Sequence, residues 1–202
     1  TIGISFALTV WAFLTLPAGS EPHVLTLFPW IHTGGFHVDA ALQIDQLSLT
    51  LMLVVTGVGL LIHVYSTGYM HDDPGYARYF AYLNLFVFAM SMLVLGSSLP
   101  LMFLGWEGVG LCSYLLIGFW YEDPAKASAG KKAFIVNRIG DAGFILGVLW
   151  LFTTTGHVDF EGIRAAIQGN PGLVAGVANW IGLLLFVGAC GKSAELPLYV
   201  WL

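Results

Sequence analysis

Apolar residues run in long blocks along this chain, separated by short stretches where Pro, Gly, His and charged side chains gather. A helix that crosses a bilayer needs roughly 20 mostly apolar residues. Blocks at about 1–16, 44–66, 79–96, 100–121, 132–155 and 173–202 reach or approach that length. The pattern predicts an all-α, polytopic transmembrane helix bundle, a single domain over 1–202. The first block ends at Pro17, and the Pro-, Gly- and His-rich segment from there to Val38 is expected to be an extramembrane loop, as is Gly156–Gly172. Asp45 stands at the expected start of the second helix, where a carboxylate meets unpaired amides and the positive end of the helix dipole. Only Gly96-Ser-Ser-Leu-Pro100 separates the third and fourth blocks, so those helices are expected to be antiparallel neighbours.

Composition strengthens the membrane reading. Hydrophobic residues make up 57% of the 202 and charged residues 9%, with a mean hydropathy of +0.82, whereas a soluble domain carries about a quarter charged residues. A net charge of -5 and scattered Lys and Arg leave no basic stripe to neutralise phosphates, which argues against nucleic acid as a partner. Cys112 and Cys190 lie in apolar segments with no Cys or His at ligand spacing, so they read as buried, inert thiols, and a metal site has no support. His23, His32 and His37 have no regular metal spacing and are expected in the loop. Alternating the loops places Arg78, Lys126, Lys131 and Lys132 on one side and Arg164 on the other, so the first side should be cytoplasmic or matrix. The sequence opens and closes within apolar stretches and has no charged leader, so it is expected to be an internal fragment.

Charges kept inside apolar runs mark ion paths by default. Glu107 is flanked by Gly105-Trp106 and Gly108-Val109-Gly110, small residues that let another helix or water approach. It is a candidate proton carrier; the bland alternative is a protonated acid that only bridges helices. Lys192 closes a later run, and Pro197 cannot donate to the Ser193 carbonyl, so the helix should be discontinuous there, as helices around intramembrane ion sites are. The alternative for Lys192 is snorkelling to the headgroups. Glu195, three residues on, is a candidate counter-ion. Arg138 and Asp141 are also three apart, hence on one helix face, as an ion pair that is either structural or a switch. His63 is a candidate relay, because imidazole titrates near neutrality, or an ordinary interfacial histidine.

Three runs carry a family resemblance: LGWEGVGLCSYLLIGFW from Leu104 to Trp120, KAFIVNRIGD from Lys132 to Asp141, and GKSAELPL from Gly191 to Leu198. With Leu42 to Gly68 and Asp73 to Phe86, they closely resemble subunit L, also called subunit 5, of the proton-pumping NADH:quinone oxidoreductases. The resemblance covers most of the chain. It implies the N-terminal part of an antiporter-like subunit of respiratory complex I, with Glu107 as the family's intramembrane glutamate and Lys192 as the lysine of its first half-channel. Arg138 and Asp141 match the neighbouring switching pair, while Glu195 stands where a glutamine is expected. It further implies no cofactor in this chain, with NADH, FMN, iron–sulfur clusters and quinone in partner subunits.

The expected function is proton translocation through a Glu107/Lys192 half-channel, driven by electron transfer elsewhere in the complex. The expected surroundings are the lipid bilayer, other complex I membrane subunits, and a bacterial inner membrane, with the mitochondrial one as the other option. The alternatives are the large subunit of a cation/proton antiporter, a membrane-bound hydrogenase or an inorganic-carbon uptake complex, and a structural subunit whose charges only set helix register. A self-contained channel has least support, since no ring of pore-lining charge is present.

Overall fold

The computed structural model describes residues 1–17 and 19–202. In chain order these residues form α1 (Ile2–Thr15), β1 (His23–Thr33), β2 (Phe36–Ile44), α2 (Gln46–Tyr69), α3 (Tyr76–Leu95), α4 (Leu99–Ile117), α5 (Pro124–Thr155), α6 (Phe160–Gly169) and α7 (Ala178–Lys192). Short 3-10 turns follow at Pro171–Leu173 and Tyr199–Trp201. Among the described residues α2, α3, α4 and α5 are long and apolar enough to cross a membrane. The apolar helices α1 and α7 have 14 and 15 residues, a rise of about 22 Å against the roughly 30 Å of a hydrocarbon core. The chain is thus a helical bundle protein of the membrane, as the apolar blocks predict.

The differences from the sequence pattern have local causes. The segment expected as a loop up to Val38 contains a hairpin instead, β1 pairing with β2. Two runs rich in β-branched and aromatic residues flank Gly34-Gly35, a two-residue turn in which Gly34 takes φ +53°, a region that favours glycine. His23, His32 and His37 therefore lie on strands. Helix α5 begins at Pro124, well before its apolar stretch: the Asp123 side chain accepts from the Ala125 N–H, and proline suits the first helical position. Its end is set by Gly156 at φ +76°. The second expected loop holds α6, whose Asp159 cap accepts from the Gly162 N–H at 2.7 Å. The last apolar block is divided: α7 spans only its middle and stops at Lys192, earlier than Pro197 alone would require.

The described chain divides into two compact units. The first comprises residues 1–27, 40–97 and 101–112. In it the α1 side chain of Phe6 lies against Gly57 of α2, and Gly105 and Gly108 of α4 face α3 at Leu93 and Ala89. Asp45 caps α2 in a reciprocal box: its carboxylate accepts from the Ser48 N–H at 2.7 Å, and the Asp45 N–H donates to the Ser48 hydroxyl at 2.9 Å. The second unit comprises residues 28–39, 98–100 and 113–202. Its core is the pairing of α5 with α7. Gly140, Gly143 and Gly147, at helical spacing on α5, meet Gly191, Val187 and Leu185 of α7. A side chain at any of these glycines would hold the helices apart, so their spacing sets how near the two backbones come.

Candidate functional site

In the second unit, a Cβ on Gly140 would lie 3.0 Å from the Gly191 Cα and 3.1 Å from the Val187 carbonyl oxygen. The next residue along each helix is ionisable, Asp141 on α5 and Lys192 on α7. Asp141 is 6% exposed, whereas Arg138 lies on the exposed side of α5 with its guanidinium 4.9 Å from the Phe134 ring centre. Three-residue spacing alone thus hides a difference in environment: one charged residue is buried and the other exposed.

Lys192 is half-buried and is the last helical residue of α7. Beyond it the backbone leaves helical geometry, with Ala194 at φ +52°. Three of the last four carbonyls of this helix are met locally. The Ser193 N–H donates to the Ala189 oxygen at 2.9 Å, the Glu195 N–H to the Cys190 oxygen at 3.0 Å, and the Trp201 indole N–H to the Gly191 oxygen at 2.9 Å. The Cys190 thiol donates to the exposed Glu195 carboxylate at 3.8 Å. Partial negative charge at a helix C-terminus favours a cation there, so the position suits an ammonium group.

In the first unit, Glu107 is half-buried with its Oε1 atom sealed from solvent. The glycines on either side of it lie directly against α3, so the carboxyl is held on a helix pinned by backbone contact. His63 on α2 donates from Nδ1 to the Gly59 carbonyl at 2.7 Å, since a carbonyl can only accept. That leaves Nε2 as the other ring nitrogen. It is buried and has no hydrogen-bond partner among the described residues, and the ring centre is 6.0 Å from that of Phe80.

Outside the spans, the loop charges are organised at helix caps. The Ala125 N–H and the Lys126 ammonium at 3.4 Å hold the Asp123 carboxyl below the usual aspartate value of 3.8, and the same ammonium lies 5.0 Å from the Trp120 ring centre. Sequence reasoning singled out the charges but missed two uncharged members of the α5/α7 seam. One is Trp201, whose indole reaches the Gly191 carbonyl because the chain folds back on α7. The other is Asn137, which is 5% exposed beside the seam; its only signal was an amide inside an apolar helix.

These features describe a polytopic α-helical membrane protein that carries an acid and a base on closely packed helices, the base at a helix break. Residues 96–202 match the family described as NADH:quinone oxidoreductase/Mrp antiporter, TM. Residues 30–80 match the family described as NADH-ubiquinone oxidoreductase (complex I), chain 5 N-terminus. The chain belongs to the NADH:quinone oxidoreductase/Mrp antiporter family of membrane proteins. Among curated relatives, NADH-quinone oxidoreductase subunit L of Mycobacterium tuberculosis is 52% identical over 87% of this chain and 27% of its own length. The Escherichia coli subunit L is 46% identical over 91% of this chain and 30% of its own length. The chain therefore spans about three tenths of these relatives. A chain of the Mrp complex from Dietzia sp. shares the fold with a TM-score of 0.83 at 24% identity, over 100% of this chain and 21% of that one. The archaeal membrane-bound sulfane sulfur reductase gives 0.71 at 20%, over 99% and 30%.

Proposed function

We propose that this chain is part of a proton-translocating membrane subunit of an NADH:quinone oxidoreductase in a bacterial plasma membrane. Electrons pass from NADH through FMN and iron–sulfur clusters to quinone in partner subunits, and this chain moves protons. Lys192 and Glu107 are the groups that take up and release them, His63 is a relay, and Arg138 with Asp141 is the ion pair whose rearrangement changes the field around them. The observation that carries the reading is the placement of Lys192: a half-buried lysine at the end of α7, beside a glycine that touches the α5 backbone next to buried Asp141. A cation in the field of a helix C-terminus and nearby charge binds its proton with a strength that changes when those charges move.

The energies suffice. Carrying one charge across the membrane potential takes about 2.3 kcal/mol per 100 mV, and each unit of pKa swing supplies about 1.4 kcal/mol. A swing of a few units per cycle therefore drives one proton. The names of the relatives in the range of 46–52% identity support the quinone-linked reading over a cation antiporter, since the Mrp likeness at 24% bears on fold alone. The test is Glu107→Gln in the intact complex in sealed vesicles. The expected result is an assembled complex with a sharply reduced proton yield per NADH oxidised; a wild-type yield refutes the role of Glu107.

A further inference from the structure

Asn137 lies on α5 one helical turn before Asp141, on the buried face that includes Gly140 and Phe144. It is 5% exposed, and its Oδ1 is sealed with no hydrogen-bond partner among the described residues. Its backbone oxygen is 3.5 Å from where a Cβ of Gly191 would stand, so Asn137 sits beside the residue that precedes Lys192. A buried carbonyl oxygen left without a donor is costly, and native proteins satisfy such atoms with protein groups or ordered water. Three carbonyls at the end of α7 nearby are satisfied: the Gly191, Cys190 and Ala189 oxygens accept from Trp201, Glu195 and Ser193. The unmet acceptor therefore belongs to a residue beside the place where Gly140 meets Gly191, the residues that precede Asp141 and Lys192.

We propose that Asn137 Oδ1 binds a water molecule in the α5/α7 seam, and that this water passes protons between the Asp141 and Lys192 neighbourhoods. A buried water needs two to four polar partners. Asn137 supplies an acceptor, and Asp141 lies one turn along the same face. The amide does not titrate, so Asn137 is a positioning residue: it fixes the water and carries no proton itself. The inference rests on reading Lys192 as a proton carrier.

The test compares Asn137→Thr with Asn137→Val in the intact complex, with Lys192→Met alongside. Thr and Val have the same shape and the same packing cost, but only Thr keeps an oxygen for the water. The Thr variant is expected to pump at near the wild-type yield and keep its pH profile, while the Val variant loses about tenfold, the worth of one such hydrogen bond. If Thr and Val behave alike, Asn137 is only structural and the inference fails. Lys192→Met separates the two ideas, because its loss of pumping beside equal Thr and Val variants leaves the proposed function standing. A density map of the wild-type complex sharp enough for waters decides independently of variant folding. It should hold a water within hydrogen-bond distance of Asn137 Oδ1, and a dry oxygen there overturns the inference.

Discussion

At Gly105 a methyl group would collide with the Leu93 backbone, and at Gly108 it would meet the Ala89 Cβ at 2.9 Å. Backbone atoms cannot yield as a flexible side chain can, so Gly105→Ala is expected to cost about 1–3 kcal/mol by overpacking. It should appear as a lower Tm of the detergent-solubilised protein, and an unchanged Tm would show that α3 and α4 have slack. The opposite sign is expected at Ala194, whose φ of +52° costs an L-residue about 1–2 kcal/mol. Ala194→Gly should raise the Tm, with the break after Lys192 retained. At this scale the sequence made Glu107, Lys192 and Asp141 legible, because a charge in an apolar run is visible without coordinates. Asn137 and Trp201 were not legible, since their significance lies in an unmet acceptor and in a chain that turns back on its own helix.

Helix ends follow the same local chemistry, and α2 offers a titratable one. Partial burial raises the Asp45 carboxyl pKa, but hydrogen bonds from the Ser48 N–H, the Gln43 amide and the Ser48 hydroxyl outweigh it and hold the group below the usual 3.8. A carboxyl depressed in the folded state stabilises fully above its unfolded pKa, and the contribution disappears as pH falls through the folded value. Asp45→Ala should therefore cost about 1 kcal/mol near neutral pH. The gap in unfolding free energy from wild type should close below 3.8, and a gap constant with pH would deny the cap its charge. Asp45 was legible as a cap because its position before an apolar run is a local signal. The start of α5 was not, because its first turns are polar and hydropathy sees only the later ones. The hairpin was hidden by Pro and Gly in a segment whose strand character rests on alternating β-branched and aromatic residues and on Gly34-Gly35.

For the whole molecule, both compact units contribute ionisable groups inside apolar surroundings, Glu107 and His63 in the first and Asp141 and Lys192 in the second. The bundle fold was legible from block length alone, because nothing but helices satisfies every backbone group in lipid when no barrel can close. The meeting of Gly140 with Gly191 was not, since long-range pairing leaves no mark in either helix's own sequence. The proposed function makes proton transport depend on these charged groups and on intact electron-transfer partners. The most direct test is the proton yield per electron of the intact complex in sealed vesicles carrying Lys192→Met, measured with NADH and quinone. An assembled complex with a clearly lower yield is expected; a yield equal to that of the wild type would refute Lys192 as a proton carrier.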